Sequence, residues 1–316
     1  MALKHFLSVA DLTSQQVIDV LMLANDVKLN PAKYRKALDG QTLAMIFQKK
    51  STRTRVSFEV GMYQLGGHAL FLSAADIQIG RGETIADTAR TISRYCNGIM
   101  ARVFGHEIVE ELAAHASIPV INGLSDLEHP CQTLCDAQTL TEKWSPAGTF
   151  DPACLRGKKL VYVGDGNNMA HSLIDTAAAL GMHITIVAPH GYWCDPAIVE
   201  RGQRLAAKSA ATVGLTADPI DGVRGADCIY TDVWASMGQE EESAKRIRDF
   251  AGFQVDEAML ARANPGCLFM HCLPAHRGEE VSAGVCDGPQ SIIFDQAENR
   301  LHVQKAILLT LMSQGA

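Results

Sequence analysis

The stretch KLVYVGDGNNMAHSLIDTAAALGMHITIVAP (Lys159–Pro189) decides the fold. Its first apolar run reads as a buried strand, Gly164 and Gly166 make a turn, and a helix and a second strand follow. Strand, turn, helix and strand in about thirty residues form a βαβ unit, which requires parallel pairing because the connection crosses over the sheet.

Working outward, the same alternation recurs in both directions. Downstream, ADCIYTDVW (Ala226–Trp234), GCLFMHCLP (Gly266–Pro274) and QSIIFDQ (Gln290–Gln296) read as three more buried strands, before a final helix from about Ala297 to Met312. Upstream, TLAMIF (Thr42–Phe47), HALFLS (His68–Ser73), GIMARVF (Gly98–Phe104) and IPVIN (Ile118–Asn122) read as strands. HEIVEELAAHA (His106–Ala116) and PCQTLCDAQTLTEKW (Pro130–Trp144) read as helices. An amphipathic helix follows Asp11, with Thr13 or Ser14 as its cap. The turn-rich SPAGTFDPACLRGKK marks the interdomain connection. The expected fold is therefore α/β, with two Rossmann-like domains, each a mostly parallel sheet flanked by helices. The first covers 1–144 and is joined by the C-terminal helix 297–316; the second covers 145–296.

Composition narrows the function. A chain of 316 residues suits two domains. A formal net charge of −7 argues against a nucleic-acid or membrane-surface protein. No run approaches the roughly 18 apolar residues of a membrane span. The N-terminus has neither a secretory nor a transit pattern, so a cytoplasmic location is expected. Nine cysteines, an odd number outside a secretory context, read as reduced thiols. Cys131 and Cys135 near His129, and Cys272 beside His271, lack the paired CxxC spacing of structural zinc, so no metal is expected.

Ligands of parallel α/β sheets bind beyond the carboxyl ends of the strands. The expected strands here run on into QKKSTRTR, GDGNN, DVWASMG, HCLPAHRGEE and DQAENR. Polar and reactive residues gather at those ends. In FQKKSTRTRVSFEVG (Phe47–Gly61) a strand ends at Phe47 and a helix is expected from about Thr52. Val56 with Val60, and Phe58 with Met62 and Leu65, form its buried stripe. The free N–H groups and dipole of such a helix end attract anions, and Arg53 and Arg55 would add guanidinium donors. A solvated N-cap with exposed arginines is the alternative, and the stretch alone leaves both open.

STRTR after a strand resembles the carbamoyl-phosphate loop of the aspartate/ornithine carbamoyltransferase family. HPCQ (His129–Gln132) matches that family's HPxQ element. DVWASMG (Asp232–Gly238) and HCLP (His271–Pro274) resemble its ornithine branch, and DQAENR (Asp295–Arg300) before the last helix is also similar. The five elements stand in family order across nearly the whole chain. The resemblance implies carbamoyl transfer from carbamoyl phosphate to the δ-amine of L-ornithine, giving L-citrulline and phosphate without a cofactor.

The resemblance also implies roles. Ser51, Thr52, Arg53, Thr54 and Arg55 would cradle the phosphate, together with Gln78 from a neighbouring subunit of a homotrimer. Arg102, His129 and Thr54 would polarise the carbamoyl carbonyl, and Gln132 would hold its amide. Cys272, Leu273 and Arg300 would complete the carbamoyl-phosphate side. Asn168, Asp232, Ser236, Met237, Cys272 and Leu273 would bind ornithine, with Cys272 counted among the catalytic groups. Lys49 and Lys50 receive no role, and at least one is expected to be merely solvated.

Two alternatives are distinguishable. N-acylornithine, putrescine or aspartate could be the acceptor amine, although the aspartate branch lacks the SMG and HCLP pair, and the resemblance of STRTR and DVWASMG together favours free ornithine. GDGNNM could be a dinucleotide turn of an NAD-linked oxidoreductase. It supplies only two of the three glycines of GxGxxG, however, and ITIVAP ends without the expected acidic residue.

Overall fold

The computed structural model describes residues 3–79, 82–235 and 240–313. The chain divides into two compact units, Met1–Gln138 with Glu298–Ala316, and Thr139–Ala297. Each is built on one parallel sheet.

The first sheet contains β1 (Thr42–Phe47), β2 (His68–Ser73), β3 (Gly98–Arg102) and β4 (Val120–Leu124), in the order β2-β1-β3-β4. Leu43 to Phe47 and all of β3 are buried, as strands covered on both faces must be. Five helices belong to this part of the chain: α1 (Ser14–Leu29), α2 (Thr52–Gln64), α3 (Ile85–Ile92), α4 (His106–His115) and α5 (Pro130–Trp144). A reciprocal box between Thr13 and Gln16 starts α1. The C-terminal helix, Ile293–Met312, returns to this unit: Lys305 Nζ donates to Gln64 Oε1 at 2.8 Å. A Cβ on Gly61 would sit 3.3 Å from the Lys305 stem, so the glycine lets α2 and the last helix approach closely.

The second sheet contains β5 (Lys159–Val163), β6 (His183–Val187), β7 (Val213–Thr216), β8 (Cys228–Thr231) and β9 (Leu268–His271), ordered β7-β6-β5-β8-β9 and wholly parallel. Between β5 and β6 runs α6 (Asn168–Leu180), capped by the Asn167 side chain and ended by left-handed Gly181. After β6, α7 (Pro196–Ala206) starts on an Asp195 cap with proline in its first turn. The core beneath β8 and β9 gathers Val161, Ile229, Phe250, Phe269 and Val281.

The structure corrects the sequence reading at several segments. QSIIFDQ is no strand. Ser291 makes a single bridge to Phe269, and the chain then enters the last helix at Ile293, four residues before the expected start. The apolar run was too short to separate strand from helix by periodicity. β7, α3 and α7 were not anticipated; β7 is a four-residue edge strand carrying a glycine and a half-exposed face. On α2, Phe58, Met62 and Leu65 are buried, but Val56 is exposed and Val60 half-buried, so only one of the two expected stripes faces the core of this chain.

Candidate functional site

In each sheet the strand order reverses once, between β1 and β3 and between β5 and β8. At such a point the connections leave in opposite directions and open a crevice beyond the strand ends. Among the described residues, Ser51 to Thr54 follow β1, Arg102 ends β3, Asn168 follows β5 and Asp232 follows β8.

In the first unit, β1 ends at Phe47 and the chain reaches the N-cap Ser51, whose Oγ accepts from Thr54 N at 3.2 Å. Thr52, Arg53 and Thr54 form the first turn of α2, where backbone donors are free of intrahelical partners. Thr54 is fully buried. Its Oγ1 accepts from Arg300 Nη2 at 2.8 Å, while Arg300 Nη1 donates to Gln132 Oε1 at 2.9 Å. Gln132 Nε2 donates to Asp136 Oδ1 at 2.8 Å, one turn along α5. The last helix therefore delivers a buried guanidinium to both the STRTR turn and the HPCQ turn.

His129 stands immediately before α5 and is buried. Burial, reinforced by the charges of Arg300, Arg102 and Arg53, holds its imidazole well below the usual pKa. The ring is thus neutral and lies in a positive field. Arg102 is buried at the end of β3. Three arginines around a neutral histidine, next to a helix N-terminus, suit a dianion with an adjoining carbonyl.

Not every predicted residue joins this cluster. Arg55 is exposed; its Nε donates to Glu59 Oε1 at 2.9 Å and its guanidinium lies 3.8 Å over the Phe71 ring. Gln78 is exposed in the loop between β2 and α3. Lys50 is exposed, and Lys49 sits 4.7 Å over the Phe104 ring.

In the second unit, three strand ends meet. Asp232 follows β8 and is buried. The Cys272 thiol, just past β9, donates to Asp232 Oδ1 at 3.0 Å; Asn167 Nδ2 lies 3.4 Å from Asp232 Oδ2. Asn167 is itself anchored, accepting from Met169 N at 2.9 Å as the cap of α6. Asn168 is the first residue of α6, half-buried, at an end suited to a carboxylate. Leu273 takes φ +61°, a left-handed conformation uncommon for a residue with a branched side chain. Ser236 and Met237 lie outside the described residues.

Several contributors were not singled out from the sequence. Arg246 Nη1 donates to Asp165 Oδ2 at 2.6 Å and to the Trp234 carbonyl at 2.9 Å, and its Nε to Glu242 Oε2 at 3.0 Å. It ties the GDGNN turn to the segment after β8. Gln296 Oε1 accepts from His271 N at 3.1 Å. The QAENR part of the last motif is thereby divided: Gln296 serves β9, and Arg300 serves α2 and α5. Arg246 lies within a helix and carried no local signal, whereas Gln296 stands in the DQAENR motif.

The dinucleotide alternative meets a steric objection. In GxGxxG the second glycine admits a pyrophosphate to the backbone. Here a Cβ on Gly166 would lie 2.2 Å from Cys194 N, and Gly166 N donates to Tyr192 O at 2.9 Å. The chain itself occupies that approach. Asp232, His271 and Cys272 place ligand atoms within 4.8 Å of one another. Both His271 ring nitrogens are engaged, however, Nδ1 by Leu273 N at 2.8 Å and Nε2 by Glu280 Oε1 at 3.1 Å. All nine cysteines are thiols. No helix among the described residues is long and apolar enough to cross a membrane.

Comparison with known proteins finds two matching family models, the second of which runs on through most of the last helix. Residues 4–142 match the aspartate/ornithine carbamoyltransferase carbamoyl-P binding domain, and residues 156–311 match the Asp/Orn binding domain of that family. A protein of Thermococcus kodakarensis named ornithine carbamoyltransferase is 52% identical over 98% of this chain and 96% of its own. One from Pyrococcus furiosus, named as the anabolic ornithine carbamoyltransferase, is 51% identical over the same shares. The solved ornithine carbamoyltransferase of Pyrococcus furiosus superposes with a TM-score of 0.93, covering 100% of this chain and 99% of its own at 51% identity. That of Giardia lamblia does so at 0.89 and 36% identity, covering 99% of each.

Proposed function

Because the chain belongs to the aspartate/ornithine carbamoyltransferase family, we propose that it transfers the carbamoyl group of carbamoyl phosphate to the δ-amine of L-ornithine, giving L-citrulline and phosphate in arginine biosynthesis. The amine nitrogen forms a bond to the carbamoyl carbon, the bond from that carbon to the phosphate oxygen breaks, and one amine proton leaves with the phosphate. The observation that carries the reading is the Cys272 thiol held on Asp232 beside the N-terminus of α6, at the ends of β9, β8 and β5. That group of residues offers a carboxylate to an ammonium and a helix end to a carboxylate, as an α,ω-diamino acid needs.

The first unit is assigned the carbamoyl phosphate. Ser51, Thr52, Arg53 and Thr54 cradle the phosphate oxygens, with Arg55 adding charge from outside the cluster. Arg102, the neutral His129 and Thr54 polarise the carbonyl as oxyanion charge develops, and Gln132 takes the carbamoyl amide. Each such donor lowers the barrier by about 2.7–4 kcal/mol. Arg300 organises Thr54 and Gln132 and supplies positive charge. Asp232, Asn168 and the backbone of Ser236 and Met237 hold the amino-acid end of ornithine. Cys272 and Leu273 face the δ-amine and the carbamoyl group. No covalent nucleophile and no cofactor enters this scheme.

The exposed position of Gln78 fits a residue that completes the phosphate site of another subunit, so the assembly is assigned as a homotrimer or a multiple of it. Nine cysteines held as thiols rather than disulfides support a cytoplasmic enzyme. Purified protein is incubated with carbamoyl phosphate and, separately, L-ornithine, N-acetylornithine, putrescine and L-aspartate. Citrulline from ornithine, with little product from the others, is expected. No citrulline, or a faster reaction with another amine, overturns the assignment.

A further inference from the structure

We propose that Glu280, acting through His271, is a positioning residue for the Cys272–Leu273 loop that faces the acceptor amine. The proposal rests on the carbamoyl-transfer reading for its consequence and on geometry for its structure.

Glu280 and His271 are both fully buried and lie nine residues apart, one after β9 in HCLPAHRGEE and one at its end. Leu273 N reaches His271 Nδ1 at 2.8 Å. A backbone N–H can only donate, so Nδ1 must carry a lone pair. The proton of the neutral ring is then on Nε2, which lies 3.1 Å from Glu280 Oε1 and donates to it. The same carboxylate oxygen accepts from His276 N at 2.6 Å, closing the loop onto itself. Gln296 holds the other side, accepting from His271 N at 3.1 Å and donating to Tyr230 Oη at 3.0 Å. The ring is therefore fixed in position and tautomer by Glu280, Gln296 and the Leu273 backbone.

This arrangement matters because Leu273 stands at φ +61°. A side-chain-bearing residue stays in that region only when its surroundings require it. The hydrogen bond from Leu273 N to the imidazole is such a requirement. The Cys272–Leu273 peptide is trans, so an N–H aimed at His271 sends the Cys272 carbonyl the opposite way, away from the ring. The carboxylate thus sets the tautomer, the tautomer sets the peptide plane, and the peptide plane sets an acceptor beside the thiol that meets Asp232. Such an acceptor fits an amine nucleophile, whose remaining N–H needs a partner while its lone pair attacks.

Three variants and one measurement on the unmodified protein test this. Glu280→Gln keeps the volume but loses the anionic acceptor. It should lower kcat/KM for ornithine by about ten- to a hundredfold while KM for carbamoyl phosphate stays within about twofold. In His271→Asn the amide can stand in for Nδ1 and keep Leu273 N; in His271→Gln it stands in for Nε2 and abandons it. His271→Asn should retain more activity than His271→Gln at equal thermal stability. The reverse order in folded proteins, or wild-type kinetics in Glu280→Gln, overturns the proposal. If the variants do not fold, the 15N shifts of His271 in the wild-type protein decide. A neutral ring protonated on Nε2 is expected; protonation on Nδ1 or a charged ring contradicts it. A wild-type protein that makes no citrulline but shows the expected tautomer defeats the functional reading and leaves the positioning of Leu273 by Glu280 and His271 standing.

Discussion

Arg300 Nη2 donates to Thr54 Oγ1 at 2.8 Å, joining residues 246 positions apart, and both side chains are buried. The second Nη of the same guanidinium reaches Gln132. One planar fork thereby sets two groups assigned to the carbamoyl moiety. Lysine keeps the charge but cannot span both acceptors in fixed geometry. Arg300→Lys should lower kcat by about a hundredfold or more, in the range of losing one to two oriented donors, and raise KM for carbamoyl phosphate more than KM for ornithine. Steady-state kinetics with each substrate varied in turn checks this.

His129 is neutral in the folded protein because burial and three arginines oppose its protonation. Its folded pKa lies below the unfolded value of about 6.5, so between the two the unfolded chain binds a proton that the native state does not. Stability contributed this way is present above about pH 6.5 and is lost as pH falls below it, by up to roughly 1.4 kcal/mol per pH unit. His302 acts in the same direction, its pKa pushed down to about 4 chiefly by burial. His129→Asn should flatten the fall of Tm between pH 6.5 and 5, and thermal unfolding across that interval measures it. His129→Asn, which keeps an N–H donor, should also retain more kcat than His129→Ala.

Asp232 accepts from Cys272 and faces Asn167. Asp232→Asn keeps the shape and removes the charge offered to ornithine. Its ornithine KM should rise by about tenfold or more, as for a charge-assisted hydrogen bond lost, with KM for carbamoyl phosphate little changed. A matching change in both KM values would place Asp232 elsewhere in the mechanism.

The δ-ammonium of ornithine, like that of lysine, has a pKa of about 10.4, so near pH 7.4 only about 0.1% is neutral, a deficit of roughly 4 kcal/mol. In the wild-type enzyme kcat/KM for ornithine should therefore rise from neutrality to about pH 9. A flat profile over that range, with chemistry limiting the rate, contradicts attack by the free amine.

Arg246 pairs with Asp165, whose pKa is raised by burial against the opposing pull of the guanidinium. Arg246→Met leaves that carboxylate without its partner and should cost about 3–5 kcal/mol of stability. Adding Asp165→Asn should recover part of the loss. Urea unfolding of the single and double variants measures the coupling.

The strands that were legible in the sequence were long apolar runs bounded by turn formers, such as Thr42–Phe47 and Lys159–Val163. β7 was hidden because a half-exposed edge strand containing glycine has neither a continuous run nor clean alternation. Ile292 and Ile293 misled because two buried isoleucines serve a bridge or a helix start equally well. Among the candidate residues, the start of α2 near Thr52 followed from the end of the strand before it, and the structure places the N-cap at Ser51. The Arg300 fork and the Glu280–His271–Leu273 chain did not, because contacts between residues distant in the chain leave no local pattern. Val56 shows the converse: helical spacing identified a face, but the sequence could not tell which of two faces the core would cover.

The most direct test is a crystal structure with a phosphonate mimic that joins the carbamoyl-phosphate and ornithine skeletons. The phosphonate oxygens should lie within hydrogen-bond reach of the first turn of α2, at Ser51 to Thr54, with the Arg53 guanidinium on them. A phosphonate seated instead at the Gly164–Asn168 turn would contradict the account.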